Sequence, residues 1–597
     1  MSESLNDTLG TVDIVWNLDD LYPGIDDPGL AADLRGWEEE AEHIRLEFAG
    51  RLAELNAAAL LGLITRMERL EAGMGRISTF ASLNFATRTK DAAAGAFMQK
   101  AREAGSRVGR EIVFFELEWN RISDEEAATL MADPLLAPYR HYLAVVRRYA
   151  PHMLSDAEET LLIEKAPAGR GSWTTLFDKV MGHLKFGEQG RSEEEVLSDL
   201  YLPGREKRIQ AAAELTAGLN SPLQILTHTI NSLLADKMID DRLRRHPNWL
   251  NSMNLYNELQ DSTVNTLIEA VTGRYDIPQR YYRLKRQILG LDELADYDRY
   301  APLPHLPTTS VPWEQARKLV VESFAEFSPQ MAETGAKFFE QRWIHAPLLE
   351  GKRGGAFAHP AVPEVHPYIM VNYTGNLRDI STVAHELGHG IHQYLAAAQG
   401  YYNSSTTLVL AETASVFAEL LLFNRQLELI ETPEARRAFS CQKLESIFAT
   451  VFRQVAMNRF EDRVHNARRN QGELSPEDFS THWRATQQEM FADSVKLSAD
   501  YSIWWSYIPH FLSTPGYVYS YAFGELLVLA LYRLYQQDRQ GFVPKYIELL
   551  QAGGSSTPYE LVKPFGVDLD DPRFWAGGLQ VIDEMLQGVE APPAHNQ

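Results

Sequence analysis

The chain of 597 residues has one cysteine, Cys441. An intrachain disulfide is therefore excluded, and so is a metal site built from several thiolates. Long apolar runs are missing as well. No stretch approaches the ~20 residues that a membrane helix needs. The most apolar segments are Leu408–Leu422, which holds two glutamates, and the short Leu526–Leu531; both read as buried core helices. The opening residues, MSESLNDTLGTVDIVWNLDD, show no basic region followed by an apolar run, so a secretory signal is not expected. Positive charge is in deficit, with 57 Lys and Arg against 81 Asp and Glu, a net charge of -24. Such a surface repels nucleic-acid phosphates and anionic membranes, so neither is an expected partner. One cysteine suits a reducing cytoplasm.

What is present reads mostly as helix. The length exceeds one hydrophobic core, so two or more packed lobes are expected. From Leu30 to Arg121, Ala, Leu, Glu and Arg dominate, with apolar residues at three- and four-residue spacing. Ser155 followed by Glu158 is a capping-box pattern and marks a helix start. The stretch Ala301 to Pro312 holds four prolines and reads as a connector. Between Gly351 and Asp379 the character changes. Gly354, Gly355, Pro360, Pro363 and Pro367 mark turns, and Tyr368–Tyr373 (YIMVNY) has the composition of a short strand. The tail Pro592–Gln597 is expected to fray.

One motif carries chemistry. The segment Ser381–Gly400 contains His385-Glu386-Leu387-Gly388-His389. Helical residues four apart share a face, so both imidazoles can reach one zinc ion. Glu386, one step round the helix, can reach the water such an ion activates. Asp379 or Ser381 is placed to cap this helix, and Gly400 to end it. Asp379 has a second reading, as a carboxylate orienting a ligand. An HExxH match arises by chance in some long chains, so a third ligand matters. From Gln393 to Ala411 there is no Asp, Glu or His. Glu412, with 22 residues between it and His389, is the first candidate, and it lies in a largely apolar helix. A carboxylate there is costly to bury unless paired or metal-bound. Glu419 either backs a ligand or begins a polar stripe. A metzincin pattern would need Gly at 392 and His at 395, but His392 and Leu395 stand there, so that class is excluded. His392 reads as a packed or ligand-supporting histidine.

At these residues the sequence resembles the oligoendopeptidase F family of zinc metallopeptidases, relatives of thimet oligopeptidase. The likeness also runs through Trp16–Pro23 (WNLDDLYP), Lys352–Phe357 (KRGGAF), Asn372–Asp379 (NYTGNLRD), Ala411–Ser415 (AETAS), and His510-Phe511 with Tyr517–Gly524 (YVYSYAFG). The resemblance implies a mainly α fold: a large helical body split by a deep substrate cleft, with a small β-sheet beside the zinc helix. It implies an N-terminal helical region over 1–200 and a catalytic region over 201–590 forming both cleft walls. It further implies one Zn²⁺ per chain and endopeptidase action on short peptides in the cytoplasm.

Peptide hydrolysis also needs donors for the oxyanion of the tetrahedral intermediate. His510, Tyr517, Tyr519 and Tyr521 are the candidates. In a helix Tyr517 and Tyr521 share a face while Tyr519 turns away, so Tyr517 and Tyr521 are expected at the site and Tyr519 in the packing. An aromatic core stripe is the competing reading. Pro515 and Gly516 place a loop just before them, which can bring the donors in when substrate binds. The strand at Tyr368–Tyr373 is expected to offer its edge to an extended substrate. Two other functions compete: an exopeptidase (carboxypeptidase or dipeptidyl carboxypeptidase), with Arg353 or Arg378 holding a terminus, and a non-catalytic peptide-binding protein. The latter would have lost Glu386 or a ligand, yet all four residues are present.

Overall fold

Helices account for most of the computed structural model, which describes residues 2–307 and 310–591. The expected fraying at Pro592–Gln597 lies outside these residues. The expected mainly α class is met, and the expected connector spans a boundary between packing units at Pro307. The chain forms two compact units, each assembled from three separate segments. One comprises 1–150, 308–429 and 534–567, the other 151–307, 430–533 and 568–597.

In the first unit, the helices Pro28–Phe48, Ala57–Ala86 and Ala92–Ile112 pack on one another. Their apolar faces supply Leu30, Ile44, Leu63, Leu70, Phe80 and Phe97 to one core. Three short strands follow: β1 (Ile344–His345), β2 (Phe357–His359) and β3 (Tyr368–Met370). Their order is β1-β3-β2, with β3 parallel to β1 and antiparallel to β2. Strand β3 is therefore central and wholly buried. This corrects the expectation of a free edge on Tyr368–Tyr373: neighbours occupy both of its sides, and β2 is an edge strand instead. The WNLDDLYP segment buttresses the sheet. Trp16 meets the rings of His345 and Tyr368 edge-on at 5.2 and 6.1 Å, and Asp20 lies 3.1 Å from His366.

KRGGAF and NYTGNLRD are tied together rather than merely adjacent. Lys352 donates to the carbonyls of His345, Pro347 and Val371, and Asn372 donates to those of Arg353 and Gly355. Burial of the Lys352 ammonium lowers its pKa to about 7. The next helix, Leu377–Ala396, lies against β2 and β3, so a small sheet does stand beside the motif helix.

In the second unit, helices Leu223–Leu243, Phe452–Gln471 and Pro476–Phe491 pack around Phe460, Trp483 and Tyr501. Ser155 and Glu158 form the expected capping box there, opening the helix Asp156–Lys165. No described helix is long and apolar enough to cross a membrane.

Candidate active site

The motif helix begins one turn earlier than its expected caps. Asn376 is the N-cap, its side chain accepting from the Asp379 N–H at 2.9 Å. Asp379 sits inside the first turn, where its carboxylate accepts from the N–H and hydroxyl of Thr374. It fixes the approach loop, while Asn376 caps the helix, and its carboxylate is engaged with Thr374 rather than with a histidine. Ser381, further in, bonds back to the Leu377 carbonyl, as a mid-helix serine does. At the far end the helix passes into a 3-10 turn over Ala397–Gln399, and Gly400 ends that turn with φ +81° and ψ 175°.

The second helix of the site, Leu408–Leu429, packs on the motif helix more closely than side chains allow. A Cβ on Gly388 would lie 2.6 Å from both the Ala414 carbonyl oxygen and the Ser415 Cα. Glycine in a helix interior costs ~1 kcal/mol against alanine; here it lets the two backbones touch. That approach sets Glu412 opposite the two histidines. Its Oε2 lies 3.4 Å from His385 Nε2 and 3.5 Å from His389 Nε2. One ligand atom from each of the three lies within 4.8 Å of the others, the one such His/Cys/Asp/Glu group among the described residues.

Supporting contacts fix these groups. Glu419 lies 2.6 Å from His385 Nδ1, which leaves Nε2 to face Glu412. Of its two readings, the one backing a histidine is what the structure contains. The Ser415 hydroxyl donates to Glu412 Oε2 at 2.7 Å. Sequence reasoning missed Ser415 and Gly388, although three-residue spacing from Glu412 was a signal for the former. Glu386 is 7% exposed and lies deeper than the other three. Burial raises its carboxyl above the usual range, against the pull of both histidines. Burial would likewise raise Glu412, but bonds to His389 and Ser415 hold it down, to about 2. His392 is buried, its pKa pushed down to about 4 by burial, and its Nε2 meets no protein partner.

The His/Tyr segment belongs to the other unit and forms a cluster of its own. His510 Nε2 lies 3.3 Å from the Tyr521 hydroxyl. The rings of Tyr517 and Tyr521 are 4.8 Å apart, and each is 6.0 Å from the His510 ring. Tyr519 is fully buried and its hydroxyl accepts from Asn257 at 2.9 Å. The expected pairing of Tyr517 with Tyr521 is therefore present, but its expected cause is not. The helix starts at Tyr519, and Tyr517 stands in the preceding turn. Gly516 holds φ +82° there, with its N–H bonded to Glu461 at 2.8 Å.

A helix-borne HExxH with a downstream glutamate, on a scaffold of helices, is the build of a peptidase. The chain belongs to Peptidase family M3, whose model matches residues 201–581, and an Oligopeptidase F model matches residues 118–186. Oligopeptidase PepF of Bacillus subtilis is 24% identical over 96% of this chain and 86% of its own length. A putative peptidase from Chlamydophila abortus has the same fold, with a TM-score of 0.85 at 23% identity, covering 96% of this chain and 98% of that one. Oligoendopeptidase-F from Enterococcus faecium gives a TM-score of 0.70 at 22% identity, covering 94% and 97%. The resemblance to the oligoendopeptidase F family is thus established.

Proposed function

We propose that the protein is a zinc-dependent endopeptidase that hydrolyses internal bonds of short peptides in the cytoplasm. His385, His389 and Glu412 would hold the ion. Donor atoms ~2.0–2.1 Å from a tetrahedral centre stand ~3.4 Å from one another. The 3.4 and 3.5 Å separations between Glu412 and the two histidines match that spacing, and this is the observation that carries the reading. Three carboxylates, Glu386, Glu412 and Glu419, around two imidazoles favour a cation, and Glu419 on His385 Nδ1 fixes the tautomer that leaves Nε2 free to ligate.

Bound zinc supplies Lewis acidity, making a water nucleophilic near neutral pH and polarising a carbonyl. Glu386 takes the proton from the attacking water and passes it to the leaving amine nitrogen. His510, Tyr517 and Tyr521 donate hydrogen bonds to the carbonyl oxygen as it becomes an oxyanion. The β2 edge, rather than β3, pairs with the extended substrate through main-chain bonds that are indifferent to side chains. The relatives named for oligopeptides support the substrate class.

A peptide blocked at both ends, incubated with the purified protein before and after chelation and zinc return, tests this directly. Cleavage at internal bonds, lost with the metal and restored by one zinc per chain, is expected. Activity confined to peptides with a free terminus would turn the reading to an exopeptidase. Turnover that survives complete metal removal would overturn it.

A further inference from the structure

In the second unit Arg299 and Arg453 lie on one cavity, and among the described residues no carboxylate meets either guanidinium by direct contact. Arg299 is 4% exposed. Its Nε donates to the Asp296 carbonyl at 2.9 Å, and its guanidinium lies 5.0 to 5.2 Å from the ring centroids of Tyr300, Phe491 and Tyr501. Arg453 donates from one Nη to the Tyr300 hydroxyl at 2.7 Å, while its buried Nε has no partner. Each guanidinium carries five N–H donors, so most of the ten are not spent on protein acceptors.

Both arginines line a cavity of about 140 Å³, whose other walls include Trp483, Tyr501, Trp504 and Tyr507. Tyr201, at 52% exposure, stands on the same lining. The acidic groups nearby are Glu445 and Asp296. Glu445 is 2.5 Å from Lys285, and that pair cancels. Asp296 accepts the Ser498 N–H at 2.6 Å and balances one guanidinium electrostatically at most. Two guanidiniums against one carboxylate leave one positive charge on the cavity wall. Neighbouring groups respond to it. Burial would raise the Tyr300 hydroxyl, yet Arg453 and Arg299 outweigh burial and bring it below its usual value of 10.0. Burial and then Arg453 hold His510 below its own usual value.

An uncompensated buried charge is costly, and a counter-ion with hydrogen-bond capacity relieves it. We propose that this cavity binds one small anion, of halide or carboxylate size, between Arg299 and Arg453. The volume admits such an ion with a few waters. The aromatic walls make a larger polyanion a poor fit, because they offer few donors to its remaining oxygens. The same chemistry serves a free halide or a carboxylate from a small acid, and the two are separable by experiment.

The test is thermal unfolding of the zinc-loaded protein at fixed sodium concentration and ionic strength, with gluconate replaced stepwise by chloride or by acetate. A saturable rise of a few degrees is expected for the anion that binds. Arg453→Gln should abolish the saturable part, and Arg453→Lys should weaken it, because a lysine keeps the charge and loses the fork. A rise with chloride identifies a halide site; a rise with acetate alone identifies a carboxylate site. Identical melting in all three salts, or a saturable response that Arg453→Gln leaves intact, overturns the proposal. Should Arg453→Gln fail to fold, native crystals grown in bromide decide. An anomalous peak within hydrogen-bond reach of Arg299 or Arg453 supports the site, and no peak in that cavity at saturating bromide overturns it.

Discussion

The two clusters proposed for catalysis are built on opposite principles. Around Glu412 the side chains are charged, and regular helices deliver them with their backbones in contact at Gly388. Around Tyr521 the groups are neutral rings, delivered by a turn, a four-residue helix and the first turn of another. The first arrangement suits a group that must hold a cation whether or not substrate is present. The second suits donors that matter only as charge develops on a reacting oxygen. Mutations of the proposed ligands in the first should therefore show in metal content, and mutations in the second in kcat alone.

Glu386→Gln gives the largest expected effect. Gln keeps the shape and cannot take a proton, so kcat should fall by ~10²–10⁴ with zinc content unchanged. Steady-state kinetics beside metal analysis checks this, and retained turnover would remove Glu386 from its role. Gly388→Ala should also silence the enzyme, by another route. A Cβ 2.6 Å from backbone atoms forces the two helices apart, at ~1–3 kcal/mol, and zinc occupancy should drop as it does in Glu412→Ala. Calorimetry and metal content together would show this, and full occupancy in Gly388→Ala would show that the ligands tolerate a looser pair of helices.

Tyr521→Phe and Tyr517→Phe should each cost ~10²–10³ in kcat, with zinc content and melting temperature unmoved. If both act only through melting temperature, the rings are core and the contrast between the clusters fails. Tyr519→Phe should spare kcat and cost about 1 kcal/mol of stability, because it loses the bond from Asn257.

The smallest expected effect on turnover concerns Glu461, beneath the Gly516 turn. Burial pushes its carboxyl up to about 8, against the bond from Gly516 and the charge of Lys237. An unfolded Glu titrates near ~4.3. Between these values the folded protein holds a proton that the unfolded chain releases, so stability falls as pH rises through that window. Glu461→Gln keeps an acceptor for the Gly516 N–H and removes this dependence. Its melting temperature should match the native one near pH 5 and exceed it increasingly toward pH 9. Parallel curves would show that Glu461 does not titrate there.

Legibility followed the same divide. His385, Glu386 and His389 are readable because one helix fixes their relation, and a four-residue spacing states it. Glu412 was reachable because an apolar helix makes an isolated carboxylate conspicuous. Gly388 was not, since sequence spacing says nothing of which helix will press on which. Tyr517 was paired with Tyr521 by helical phase, yet the turn at Gly516 does that work, and a positive φ cannot be inferred from periodicity. The free sheet edge was assigned to YIMVNY for its β-branched and aromatic content. The same content, buried on both faces, is what a central strand requires.

The threading of the first unit has a consequence for biosynthesis. The helix carrying Glu412 is completed by residues from far downstream: Tyr546 donates to the Thr413 carbonyl at 3.0 Å and packs at a tilt on Phe417, with ring centroids 4.5 Å apart. Those residues leave the ribosome more than a hundred positions after Glu412. At typical elongation rates the delay is on the order of ten seconds. Throughout it the nascent chain carries the whole HExxH motif on a scaffold that cannot yet close. A chain made this way gains the downstream support of its Glu412 helix only when almost all of it has been translated.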